Sequence, residues 1–280
     1  MKTVNSLSGG KSSSYIALNY PADYNVFSLV RTNDKSCIYP DPKIRQIVSD
    51  KIGCEFVGTT EQDAIIKIML QLSEKIDIDW VTGEAFEDVI KHKGGYLPNL
   101  MVRYCTTHLK MMPIFDYWRK NINEVCEMRI GFRRGEESRR LNMLNKLNEN
   151  GNEEIKVVIG KRKTKNKWGF VEWRKPSFPL IENGIDSKAI HQYWGNNKDI
   201  QFPTGYYNNC VGCFHRSPLF LSKMNQEHPN KIKWFSKMEE ENSPNTFRKD
   251  VTFKEIIKFN PQIEMSFDDF NECDSGYCGL

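Results

Sequence analysis

Four stretches of the chain bring together residue types able to do chemistry. The first is Val4-Asn5-Ser6-Leu7-Ser8-Gly9-Gly10-Lys11-Ser12-Ser13-Ser14-Tyr15, a β-prone run that enters paired glycines and then a helix-like segment. That layout aims free backbone N–H groups and a helix dipole at an anion. It predicts a phosphate cradle built from Ser8, Gly9, Gly10, Lys11, Ser12 and Ser13. A Walker A loop would need glycine where Asn5 stands, and a dinucleotide fingerprint would need a third glycine that is not there. An ordinary strand-to-helix turn with a serine cap is the plain alternative.

The second stretch, Arg103-Tyr104-Cys105-Thr106-Thr107-His108-Leu109-Lys110, places a thiol beside an arginine at a predicted helix start, with Lys110 adding positive charge. This setting favours a thiolate, which is both a nucleophile and a soft ligand. A thiol packed under the helix is the plain alternative. The third, Gly131-Phe132-Arg133-Arg134-Gly135-Glu136-Glu137-Ser138-Arg139, ends a β-prone run in arginines. The forked guanidinium of Arg133 suits sulfate or phosphate. Fourth are Cys210-Val211-Gly212-Cys213 and, near the end, Cys273 and Cys278. A Cys-x2-Cys turn faces two thiolates at one ion, and further cysteines complete a tetrahedral zinc site or an iron–sulfur cluster. Five thiols, Cys105, Cys210, Cys213, Cys273 and Cys278, compete for four positions.

The elements that must position these groups alternate. β-Prone runs at 2–8, 26–30, 54–58, 127–131 and 156–159 are mostly separated by helical periodicity, clearest at 62–75, 109–120 and 138–147. That order predicts an α/β fold, a doubly wound, mostly parallel sheet of Rossmann-like form. In such sheets ligands sit over the carboxyl ends of the strands, which makes Thr32 and Asn33 candidate nucleotide contacts after the second strand. Past Pro176 aromatics and cysteines become frequent. A soft boundary near 185 divides an α/β part, 1–185, from a smaller helical, cysteine-bearing region, 186–280, in which 217–241 reads as two helices broken at His228-Pro229. The run Lys161-Arg162-Lys163-Thr164-Lys165-Asn166-Lys167 reads as a solvated hairpin tip, although such runs also bind phosphate backbones.

With 280 residues, 39% of them hydrophobic, the chain can bury one full α/β core and a smaller module. No apolar run suggests an export signal or a membrane span, so a cytoplasmic protein with no membrane partner is expected. In that setting eight cysteines point to thiols or metal ligands rather than disulfides. A net charge of +4 suits an anionic small molecule and does not by itself indicate nucleic acid.

Ser8-Gly9-Gly10-Lys11-Ser12-Ser13 resembles the Ser-Gly-Gly-x-x-Ser signature of the PP-loop superfamily, the adenine nucleotide alpha-hydrolase-like proteins. The segment 103–113 is similar to the Arg-x-Cys-Thr-x-x-Leu-Lys-x-x-Pro form found in phage-type relatives of the phosphoadenosine phosphosulfate reductase family, and 131–139 is similar to that family's Gly-x-Arg-x-x-Glu-x-x-Arg motif. The resemblance implies ATP or phosphoadenylyl sulfate as ligand, sulfur transfer or sulfonucleotide reduction as activity, and a 4Fe-4S cluster or zinc as cofactor. It also implies a thiol electron donor or a nucleic-acid acceptor as partner. Cys105, Lys110 and Arg133 would then be catalytic. Three positions depart from the pattern: Thr106 stands where reductases carry a second cysteine, the tail lacks their Glu-Cys-Gly-x-His nucleophile, and Ser12 stands where ATP-cleaving relatives have aspartate. An ATP-activating sulfurtransferase acting on nucleic acid, or a nucleotide-binding module with a structural zinc, are the alternatives.

Overall fold

A computed structural model describes residues 1–162, 165–203 and 209–259. Its centre is a six-stranded sheet in the order β3-β2-β1-β4-β6-β5. The strands are β1 (Thr3–Leu7), β2 (Tyr24–Leu29), β3 (Asp79–Thr82), β4 (Cys126–Arg129), β5 (Glu153–Arg162) and β6 (Lys165–Ser177). β1, β2, β3, β4 and β6 pair in parallel, and β5 folds back antiparallel on β6 at one edge. From β1 the chain first builds outward through β2 and β3, then crosses to the other side of β1 for β4. The topological switch therefore lies between β1 and β4, where open α/β sheets bind ligands.

Helices cover both faces. The first four are α1 (Lys11–Asn19), α2 (Pro42–Ile52), α3 (Asp63–Ser73) and α4 (Phe86–His92). α5 (Tyr104–Thr106) runs through a turn of π-helix, Thr107–Met111, into α6 (Met112–Asn121), and α7 (Glu137–Leu144) follows β4. The remainder are α8 (Pro179–Glu182), α9 (Ser187–Asn196), α10 (Pro218–Glu227), α11 (Pro229–Glu241) and α12 (Phe253–Lys258). Side chains end several of them: Asp186 accepts from Ala189 N, Ser217 from Phe220 N, and Thr252 and Glu255 form a reciprocal box. The break at His228-Pro229 falls where the sequence places it.

Three large apolar clusters hold the layers together. One packs α1, α3 and α9 over β1 and β2, with Phe27, Ile65, Met69 and Trp194 buried. A second packs α6 on β4, β5 and β6 through Phe115, Trp118 and Trp173. The third joins α4 to α10, α11 and α12 around Trp234, Phe235, Phe247 and Phe253. No described helix is long and apolar enough to cross a membrane.

Two parts of the sheet differ from the expectation. Residues 54–58 are not a strand: Gly58 makes only isolated bridges to Thr32 and Ile38, and a Cβ on it would sit 1.8 Å from the Cys37 carbonyl oxygen. The run is apolar because Phe56 is buried, not because it pairs along its length. The missing positions are filled by β3, only four residues long, and by β6, whose lysines mask its strand character.

Candidate functional site

The 8–13 loop joins the carboxyl end of β1 to the first turn of α1. Gly9 has φ +75°, and a Cβ there would lie 2.4 Å from Ile65 Cγ2, so both conformation and space demand glycine. Gly10 caps α1 in extended backbone and lends it no side-chain hydrogen bond. The loop braces itself: Ser8 N donates to Ser13 Oγ at 3.3 Å, and Ser13 Oγ donates to Gly10 O at 3.1 Å. Lys11, Ser12 and Ser13 are buried, and the Ser12 hydroxyl meets no hydrogen-bond partner among the described residues. A buried hydroxyl in the first turn of a helix, beside free backbone N–H groups, is a group that an anion's oxygen can satisfy. From across the switch Gly131 closes in, its Cβ direction 3.2 Å from Ser12 Cβ.

Asn209 ties this loop to the cysteines. Its Nδ2 donates to Ser8 O at 2.9 Å, while its own carbonyl accepts from Gln62 N at 3.0 Å. The next residue, Cys210, bridges to Glu61, and Val211 N donates to Thr60 O at 3.1 Å. The Cys-x2-Cys turn is thus held against residues 60–62 and beside the phosphate loop.

Cys105, Cys210 and Cys213 line a common cavity of about 50 Å³, together with Arg103, Thr106, Glu61 and Lys110. A nucleotide needs several times that volume. The donors are soft thiols near two cations, which suits a thiolate-bound metal. Their positions are not a closed ligand set: among the described residues no three Cys, His, Asp or Glu side chains stand together as a group able to hold an ion. Cys273 and Cys278 lie outside the described residues. Lys110 sits in the π-helical turn, a feature often found at functional sites, and donates to Glu61 Oε1 at 2.7 Å. Its charge is met by a carboxylate rather than left open to a ligand.

On the far side of the Cys105 segment is a cleft of about 780 Å³, lined by residues 100–104, Thr106, Thr107, Met111, Phe132, Arg139, Asn142, Met143, Lys146, Glu153 and Glu154. That is a small-molecule volume. Arg103 and Thr106 line both spaces, so residues 103–106 form the partition between thiols and cleft.

Arg133 is only 5% exposed, and its own contacts explain why. Its backbone N–H and Nε donate to Glu136 Oε2 at 2.8 and 3.3 Å, and Nη1 donates to Ser187 Oγ at 3.2 Å. The guanidinium therefore locks the loop after β4 to α9. Arg139, the last position of the same motif, lies over the Phe132 ring at 4.2 Å, donates to Glu136 Oε1 at 2.7 Å and lines the cleft. Sequence reasoning singled out Arg133 and passed over Arg139. The i, i+3 spacing from Glu136 was the signal that could have found it.

Thr32 and Asn33 are engaged elsewhere. Thr32 is fully buried, its hydroxyl donates to Glu87 Oε2 at 2.8 Å, and Asn33 N donates to Glu87 Oε1 at 2.6 Å. They anchor the start of α4 to the end of β2. Two further cysteines are inert by burial, which pushes Cys37 up to about 12 and Cys126 up to about 11.

No family model, no curated protein and no solved structure matches the chain.

Proposed function

We propose that the chain is an adenine-nucleotide-binding enzyme of the PP-loop type, related to the phosphoadenosine phosphosulfate reductases, that transfers or reduces sulfur. The observation that carries this reading is the buried Ser12 hydroxyl, without a partner among the described residues, at the start of α1 and at the β1/β4 switch beside Gly131. The amides of residues 10–13 and the Ser12 hydroxyl hold phosphate oxygens, and Arg139 meets the anionic group that lies in the cleft. Arg133 and Glu136 fix the loop that carries Arg139. Cys105 stands in the partition, one residue from Thr106, which faces the cleft.

A metal centre in this reading is held by Cys105, Cys210 and Cys213, with its fourth ligand from Cys273 or Cys278. When bound it supplies thiolate-ligated redox or sulfur chemistry next to the nucleotide. Arg103 offsets thiolate charge on the cavity wall, while Lys110 there is paired with Glu61.

Calorimetric titration with ATP, adenylyl sulfate and phosphoadenylyl sulfate tests the reading, alongside iron, zinc and acid-labile sulfide quantitation on anaerobically purified protein. Micromolar binding of one of the three with iron and sulfide present supports it. Zinc without sulfide turns the reading to a nucleotide-binding module with a structural metal. Absence of binding to all three overturns it.

A further inference from the structure

The β5–β6 ribbon is longer than the sheet needs. β4 pairs only with Arg174–Ser177 of β6, so the strand's first nine residues pair with β5 alone. One face of this two-stranded stretch is packed, with Val157 buried and Ile155 and Val171 against the α6 cluster. On the opposite face Lys156 stands across from Phe170 and Val158 across from Trp168. Phe170 is 65% exposed and Trp168 is 56% exposed. Two residues apart on one strand, their Cα atoms are about 7 Å from one another. An isolated two-stranded ribbon is marginal in water, and bare aromatic rings on its solvent face add nothing to its packing.

Between Phe170 and the end of the ribbon the charge is of one sign. From 155 to 170 the sequence has six Lys or Arg and no Asp or Glu. Lys156 and Lys161 are exposed on the Trp168 face, Lys161 opposite Asn166, while the exposed Lys165 and Lys167 alternate to the other face. The acidic pair at the base of that face is separate: Glu154 stands opposite Glu172, and Glu172 accepts from the amides of Asn148, Asn150 and Asn152.

We propose that the exposed face of the β5–β6 ribbon binds single-stranded nucleic acid, with bases stacked on Trp168 and Phe170 and phosphates met by Lys156 and Lys161, which share that face. Stacking tolerates any base because each has a π-face, and lysines beside the rings follow the backbone without reading sequence. A lipid surface fits the same residues less well, because Lys161 and Lys165, near the end of the ribbon that would enter a bilayer, are charged and exposed. Placement also favours a polymer. Glu153 and Glu154, where the ribbon begins, line the large cleft beside Arg103 and Thr106, so a strand lying along the ribbon is led toward the proposed chemistry. The ribbon's binding does not depend on what the 8–13 loop holds.

The test is fluorescence anisotropy of labelled oligothymidylate and oligouridylate of about 16 nucleotides with the full chain, across a salt series and without added nucleotide. Wild type is expected to bind in the micromolar range and to quench Trp168 fluorescence. Trp168→Ala with Phe170→Ala should weaken binding about tenfold or more while the melting temperature holds, since both side chains face solvent. Lys156→Ala and Lys161→Ala together should flatten the slope of log affinity against log salt by about 1.4. Equal affinity in both variants, preference for duplex, or binding to anionic vesicles in place of the oligonucleotides overturns the proposal. Calorimetry with the adenine nucleotides on the same variants should give wild-type affinity, so a failure here is separable from a failure of the nucleotide site.

Discussion

The Lys110 ammonium lies 2.7 Å from Glu61 Oε1 on the wall of the cavity that Cys105, Cys210 and Cys213 share, with side chains only 12% and 2% exposed. Breaking such a pair from one side strands a buried charge, at about 3–5 kcal/mol. Lys110→Met is expected to lower stability by that order, and Lys110→Met with Glu61→Gln to recover much of it. Chemical denaturation of the two singles and the double completes the cycle. Additive losses would show that the two groups do not act as a pair.

The two loop glycines should separate cleanly. Gly9→Ala forces a side chain into Ile65 from a left-handed backbone and is expected to cost about 1–3 kcal/mol of stability. Gly10→Ala meets nothing closer than 3.6 Å, at Asn209 and Ser8, from an ordinary φ of −84°. Its melting temperature should stay at the wild-type value while adenine-nucleotide affinity falls at least tenfold. Unchanged affinity in the Gly10 variant would sink the phosphate-loop assignment.

Arg133 and Arg139 are expected to fail in different assays. Arg133→Lys loses its reach to Ser187 and should destabilise the fold by about 1–2 kcal/mol. Arg139→Ala should instead weaken nucleotide binding, with a smaller change in melting temperature. Thermal melts paired with calorimetry distinguish them, and the reverse pattern would return the anion contact to Arg133.

Much of this arrangement was legible beforehand. The strand–glycine–helix run at 3–19 is visible because β-prone residues, left-handed Gly9 and helix formers follow one another without interruption. The two-helix reading of 217–241 rested on a proline at the break. What stayed hidden has a common cause: a residue's local type does not reveal its tertiary partner. Thr32 looks like a ligand contact until Glu87 arrives from 55 residues away. Arg133 looks open until Ser187 arrives from 54 residues away. β3 is four residues with one buried tryptophan, too short for its period to register.

Stability should vary with pH through Glu239. Its two oxygens accept from Phe247 N and Phe253 N, yet burial outweighs these amides and pushes the carboxyl up to about 7. A folded pKa above the unfolded value means that the native chain holds the proton longer. Below about pH 4 the group makes no difference; between there and 7 the unfolded chain ionises first, and stability falls by on the order of 2 kcal/mol. Glu239→Gln should flatten that part of the profile in denaturation curves run from pH 4 to pH 8. A wild-type profile that matches the variant's over this interval would show that the carboxyl has the same pKa in the folded and the unfolded chain.

Thiol reagents should report burial directly. Cys37 and Cys126, both raised by desolvation, are expected to react only after unfolding. Mass mapping of modified peptides against time checks this, and early labelling of either would contradict the packing described for β4 and for the segment around Cys37 and Gly58.

Asn209 joins the loop to the thiols: its side-chain amide donates to Ser8 O and its backbone carbonyl accepts from Gln62 N, one residue before the first thiol of the Cys-x2-Cys turn. Free energy spent ordering the loop is therefore shared with the thiols. Linkage makes that exchange symmetrical, so whatever factor a bound nucleotide adds to the grip on a metal, the metal returns to the grip on the nucleotide.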